Sequence, residues 1–98
     1  MAINWTDRVK RYGLDFAVDI HGMRAYAAKC LLVQLLPLAA RDRDAKALIV
    51  IHGFHAGTVL RDMVRKELKS PFIKERRPGI TDGQTILVLN KKKQGPYL

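Results

Sequence analysis

Ala47-Leu48-Ile49-Val50-Ile51-His52-Gly53-Phe54-His55-Ala56-Gly57-Thr58-Val59-Leu60-Arg61 reads as strand, loop and helix. An unbroken apolar run, Ala47–Ile51, is the pattern of a strand buried on both faces. It runs straight into a loop carrying His52, Gly53, His55 and Gly57. Val59, Leu60, Met63, Val64 and Leu68 then recur at helical spacing over Thr58–Lys69, with Arg61, Asp62, Arg65, Lys66 and Lys69 on the other side. A buried strand that delivers a loop to a helix N-terminus is how α/β proteins assemble anion sites. Upstream, Val18-Asp19-Ile20-His21-Gly22 ends an earlier apolar run in the same way. Two strand ends carrying His-Gly suggest one composite site.

Around this unit the rest of the chain falls into place. Leu14–Ile20 is expected to be the first strand and Met23–Ala40 the first helix. Pro37 should kink or end that helix, because it lacks an amide proton and crowds the preceding turn. The helix is apolar nearly all round, so burial on a second side, against the N-terminal arm or a second protomer, is expected of residues 25–40. Arg41–Lys46 is a charged turn. Ala47–Ile51 should lie centrally and parallel to the first strand, across a helical crossover. Ser70-Pro71 ends the second helix. Phe72–Arg76 and Gln84–Asn90 read as two further strands, joined by the turn residues Pro78–Gly83 and therefore antiparallel. The expected fold is a βαβαββ two-layer α/β (α+β) sandwich, a mixed four-stranded sheet with two helices on one face. Residues 1–13 form an N-terminal arm, with Trp5, Val9 and Tyr12 at helical spacing and Gly13 as the stop of a short helix. Residues 14–90 form the domain, and 91–98 a loose basic tail.

The chain has 98 residues, 48% of them hydrophobic, which is enough for one core and argues against disorder. Its formal net charge is +9, from 18 Lys+Arg against 9 Asp+Glu, so an anionic partner is the natural inference, nucleic acid first. Low aromatic content (7%) makes broad base-stacking platforms scarce. The single cysteine, Cys30, leaves no internal disulfide framework, which fits a reducing compartment. The start is polar and charged through Arg11, unlike a signal peptide. The run 25–40 holds Lys29, Gln34 and Pro37 and is short for a membrane span. A cytoplasmic location with no membrane partner is expected.

The chemistry-bearing residues are Asp19, His21 and His52, with Gly53, His55, Gly57, Thr58, Arg61 and Arg65 as phosphate contacts. Glycines permit close backbone approach, and amides at the start of the second helix can hold a phosphate. Arg24, Lys66, Arg76 and Arg77 could extend a phosphate-tracking surface. The bland readings stand beside these. Either histidine could bond backbone at a strand end, Asp19 could cap the first helix, and Thr58 could be an ordinary N-cap. Asp19, His21, His52 and His55 are ligand types that suit zinc or manganese, yet no compact ligand spacing supports a metal site. No cofactor is required, although a divalent metal is compatible.

Val18-Asp19-Ile20-His21-Gly22-Met23 resembles the Leu-Asp-x-His-Gly motif of the Smr (small MutS-related) domain, and Ile51-His52-Gly53-Phe54-His55-Ala56-Gly57 resembles that domain's His-Gly-x-Gly motif. Val59-Leu60-Arg61-Asp62 and the closing Thr85–Leu89 strand also fit, so the resemblance covers roughly residues 15–90. Phe54 stands where a Lys is frequent in the family, His55 where the second loop glycine stands, and Thr58 is an extra residue before the helix. The resemblance implies a two-layer fold similar to the C-terminal domain of translation initiation factor three. It implies nucleic-acid binding, endonuclease activity on RNA or DNA, and for some members work at ribosomes. By motif position it assigns Asp19 and His21 to the first functional motif and His52 and Gly53 to the second. The expected function is phosphodiester cleavage, RNA favoured, by a stand-alone member of the family. One imidazole of His21 and His52 would take the 2′-hydroxyl proton while the other protonates the leaving oxygen, and Asp19 would orient a histidine. The alternatives are a non-catalytic nucleic-acid- or ribosome-binding module, and a homodimer joined through residues 25–40.

Overall fold

The structure is a computed structural model that describes residues 7–53 and 58–91. The elements run β1 (Val9–Tyr12), β2 (Asp15–Asp19), α1 (Ala25–Arg41), β3 (Ala47–Ile51), α2 (Val59–Asp62) continued by a π-helical turn (Met63–Glu67), β4 (Ile73–Pro78) and β5 (Gln84–Leu89). They form a mixed five-stranded sheet in the order β1-β2-β3-β5-β4. β2 and β3 are parallel, as the helical crossover demands, and every other neighbouring pair is antiparallel.

The fifth strand is β1, where a short helix was expected. Gly13 has φ +66 and opens a two-residue connection, Gly13-Leu14, between the paired residues Tyr12 and Asp15. A glycine at the first position of such a loop supplies the positive φ of a hairpin turn whose twist matches the strands. The same residue that can stop a helix here reverses a strand. Val9 packs against the core and the Arg11 guanidinium lies over the Phe16 ring, 4.3 Å from its centroid. Residues 1–6 and 92–98, most of the expected arm and tail, lie outside the described residues.

α1 continues through Pro37 to Arg41. Proline removes the amide that would bond the Val33 carbonyl, and Val33 is exposed, so water can satisfy that carbonyl. Burial of Leu36, Ala39 and Ala40 holds the turn beyond it. The buried residues of α1, from Ala28 to Ala40, form one stripe; Tyr26, Val33 and Leu38 face outward. The stretch expected as one helix over Thr58–Lys69 is wider in its second half, a π-helical turn. Arg76 closes it: Nη1 donates to the Arg65 carbonyl at 3.0 Å and Nη2 to the Leu68 carbonyl. These are two of the carbonyls that a helix end leaves without intrahelical donors.

Strand alternation divides the sheet into two faces. Val18, Leu48, Val50, Leu87 and Leu89 point at the helices and join Leu32, Leu36, Met63, Val64 and Leu68 in one core cluster. Asp15, Ala17 and Asp19 of β2, Ile49 and Ile51 of β3, and Ile86 of β5 point the other way. β3 is apolar on both sides, but among the described residues only one of its faces carries helices.

Candidate functional site

β2 and β3 end side by side. Asp19 stands opposite Ile51 in the parallel register, and the Ile20 amide donates to the Ile51 carbonyl at 2.9 Å. One step further, the chain turns at both ends through left-handed glycines, Gly22 (φ +80) and Gly53 (φ +75). A Cβ built on Gly53 would sit 3.4 Å from the His21 Cβ, so the two His-Gly motifs touch here. The β3 end is pinned from a third place: the amides of His52 and Gly53 both donate to the Gly83 carbonyl, at 2.9 and 3.0 Å.

The same register separates the two histidines. Ile20 and His52 follow Val18 and Val50 in alternation, toward the helices, and both are buried (0% and 4% exposed). Asp19 follows Ala17 toward the open face. His21 lies in the turn with its side chain 68% exposed. The structure therefore places Asp19 and His21 on the open side and the His52 ring on the buried side of these strand ends. Alternation along β2 and β3 sends the His52 ring inward, and only Gly53 carries that motif to His21.

Asp19 organises the exposed half. Its Oδ1 accepts the His21 backbone amide at 3.0 Å and lies 2.5 Å from His21 Nδ1. It does not cap α1, whose N-terminal residue Arg24 has no side-chain cap either. A carboxylate at Nδ1 holds the proton there and leaves Nε2 bare. Among the described residues that Nε2 has no partner.

His52 is bonded at both nitrogens. Nδ1 lies 3.0 Å from the Gly53 carbonyl, which can only accept, so Nδ1 carries the proton. Nε2 lies 2.8 Å from Thr85 Oγ1, and that oxygen accepts from Arg65 Nε at 2.8 Å. The Thr85 hydroxyl proton is then directed to His52 Nε2. A single polarity runs along the relay: Arg65 donates to Thr85, Thr85 to His52, and His52 to Gly53. Burial first, opposed by the bond to Gly53 and aided by the Arg65 and Arg61 charges, pushes the His52 pKa below its ordinary value. This is the backbone-bonding role a strand-end histidine can fill, here fixing the glycine turn beside His21.

A depressed histidine pKa links folding to pH. Well above pH 6.5, the ordinary pKa, both folded and unfolded chains hold His52 neutral. Below it the unfolded chain takes up the proton first, so stability falls as pH drops, until the folded ring protonates too. Urea titrations from pH 7.5 to 5 should show this decline, at most about 1.4 kcal/mol per pH unit. His52→Gln should flatten it; an unchanged slope in that variant would contradict the buried, neutral ring. Asp42 and Glu75, lowered by bonds from Arg11 and Arg77 respectively, act below their ordinary values of 3.8 and 4.5 and stay out of this window.

Arg61 and Arg65 reach the site from α2 and the π turn. Arg61 pairs with Asp82 at 2.6 Å, and Arg65 lies 3.6 Å from the same carboxylate while also donating to the Gln84 carbonyl at 3.1 Å. Asp82 is largely exposed and pairs with both guanidinium groups at the surface. Thr58 precedes α2 as its N-cap residue but makes no side-chain cap bond. His55 and Gly57 lie outside the described residues. Arg76 is committed to helix carbonyls and Arg77 to Glu75. Among the described residues no three His, Cys, Asp or Glu side chains group as metal ligands. Sequence reasoning missed Thr85, Asp82 and Gly83. Thr85 had a readable signal: a polar residue two before Leu87 and four before Leu89, in a strand whose other inward positions are apolar.

Comparison with known proteins fits this architecture. The structure is similar to the Smr domain of Thermus thermophilus MutS2, with a TM-score of 0.66 and 23% identity over 76% of this chain and 96% of that one. No curated protein matches the chain. Residues 18–83 match the sequence model of the Smr domain, from just before the Asp19-Ile20-His21-Gly22 turn to the Gly83 carbonyl that pins the second motif. Spanning well over half of its length, that match places the chain in the Smr domain family, a nucleic-acid-binding and nuclease-related class.

Proposed function

We propose that this Smr domain binds nucleic acid along the edge where β2 and β3 end and cleaves a phosphodiester bond there, with RNA as the favoured substrate. The observation that carries this reading is the exposed His21 ring, held at Nδ1 by Asp19 with Nε2 bare. Nε2 takes the proton of a ribose 2′-hydroxyl, and that oxygen attacks the adjacent phosphorus. The leaving 5′-oxygen takes its proton from water at this open edge. Arg61 and Arg65, sharing Asp82, offset charge on the phosphate. His52 acts through position: its bond to the Gly53 carbonyl sets the turn against which His21 packs.

The burial of His52 favours one second reading, a module that binds nucleic acid or the ribosome without turnover, since the second proton-transfer group expected from the sequence is occupied on both nitrogens. The deciding experiment incubates the chain with end-labelled RNA and DNA of one sequence, with and without EDTA. The cleavage reading expects RNA products with 5′-hydroxyl and cyclic phosphate ends, undiminished by EDTA. Binding with a steep salt dependence but no product on either polymer would leave the binding module. Loss of cutting in EDTA with 5′-phosphate ends would instead assign the attack to a metal-activated water.

A further inference from the structure

The sheet face opposite the helices holds a groove. Its floor is Ala17, Ile49, Ile51 and Ile86, with Tyr12 and Ile80 at its sides and Gln84 beside them. Tyr12 is 62% exposed and Ile80 85%, which is costly display for large apolar groups unless something covers them. Among the described residues the Gln84 side-chain amide makes no hydrogen bond, so a donor and an acceptor remain free at the groove's edge. A cation flanks the apolar floor on the β1 side, where Lys10 stands in register with Ala17; on the β4 side Arg77, in register with Ile86, is paired with Glu75. At the other end Ile51 stands in register with Asp19, so the groove runs up to the His21–Asp19 pair.

An apolar slot with one aromatic ring, a free amide and a flanking lysine matches a nucleotide: base on the floor, amide at the base edge, phosphate at Lys10. A second copy of this +9 chain would bring like net charge, Lys10 included, against this face, which argues against self-association through it. We propose that the groove is a docking site for an unpaired nucleobase of a single strand, stacked on Tyr12, which brings the neighbouring backbone to His21. The proposal rests on the nucleic-acid reading above and adds to it a requirement for single-stranded substrate and for contacts to the base itself.

The test is fluorescence anisotropy of the whole chain with a labelled single-stranded RNA octamer and with a base-free ribose-phosphate chain of equal length. Tyr12→Ala should weaken octamer binding by about tenfold, Tyr12→Phe should restore it, and neither should alter binding of the base-free chain. Ile80→Ser, at a still more exposed position, should also weaken octamer binding selectively. Octamer affinity unchanged in Tyr12→Ala and Ile80→Ser, with wild type binding normally, would overturn the base site and leave the nucleic-acid reading standing. No binding of the octamer by wild type would overturn both. A shift from dimer to monomer in sedimentation of Tyr12→Ala would assign the face to a second copy and overturn the proposal.

Discussion

Replacing His21 with alanine should slow single-turnover RNA cleavage by roughly 10²- to 10⁴-fold, the range a positioned general base supplies. The size follows from the division of labour at the two strand ends. His21 alone among the described histidines has a solvent-exposed ring with a bare nitrogen. The buried ring of His52 has both nitrogens engaged, so it cannot take over the proton. RNA affinity, read by anisotropy, should change little, because the ring contributes no charge pair to a phosphate. Asp19→Asn is the sharper variant. It keeps the shape of the turn, but an amide beside Nδ1 no longer favours a protonated Nδ1, so Nε2 is bare for only part of the time. Its rate should fall between wild type and His21→Ala. Cleavage at the wild-type rate in His21→Ala would remove the catalytic assignment.

Replacing Thr85 with valine should destabilise the fold by about 2 kcal/mol, although the two side chains have nearly the same shape. The hydroxyl sits between Arg65 Nε and His52 Nε2, 2.8 Å from each, and Thr85 is 1% exposed. Valine leaves a guanidinium N–H and an imidazole nitrogen facing a methyl group, away from water. Leaving such groups unpaired costs far more than the net worth of an average hydrogen bond. The cost also travels along the relay, because the His52 ring that bonds Gly53 loses the partner of its other nitrogen. Urea denaturation should show a lower midpoint with an unchanged slope. An unaltered midpoint would mean that the relay carries no stabilisation. RNA cleavage per folded molecule should drop as well, since the Gly53 turn backs His21.

Which parts of this account can be read from sequence depends on what each residue pattern constrains. β3 is found with its observed bounds because every residue from Ala47 to Ile51 is apolar, and the parallel pairing with β2 follows from the intervening helix. β1 escapes because Val9 and Tyr12, three apart, fit a helical spacing and break the alternation of a strand, and Gly13 ends either element. Pro37 misleads because the cost of a missing amide depends on whether the freed carbonyl reaches water, which is a property of the packed helix. The two His-Gly motifs, read as the halves of one candidate site, lie side by side, Gly53 next to His21. The orientation of the two rings is set by register: Asp19 opposite Ile51 sends His52 to the core, and nothing in either motif states that offset. Thr85, Asp82 and Gly83 come from the other end of the chain and reach the site only through the antiparallel pairing of β5 with β3.

The two motif histidines are unlike: the His21 ring is exposed with Nε2 bare, and His52 is a buried link between Thr85 and Gly53. Long-range ¹⁵N–¹H imidazole spectra of the whole chain at pH 6.5 test it directly, since an unperturbed histidine is half protonated there. His52 should be less than half protonated there, its neutral form carrying the proton at Nδ1, with Nε2 showing the shift of a bare, hydrogen-bonded nitrogen. A half-protonated His52 at that pH, or a neutral ring protonated at Nε2, would contradict it.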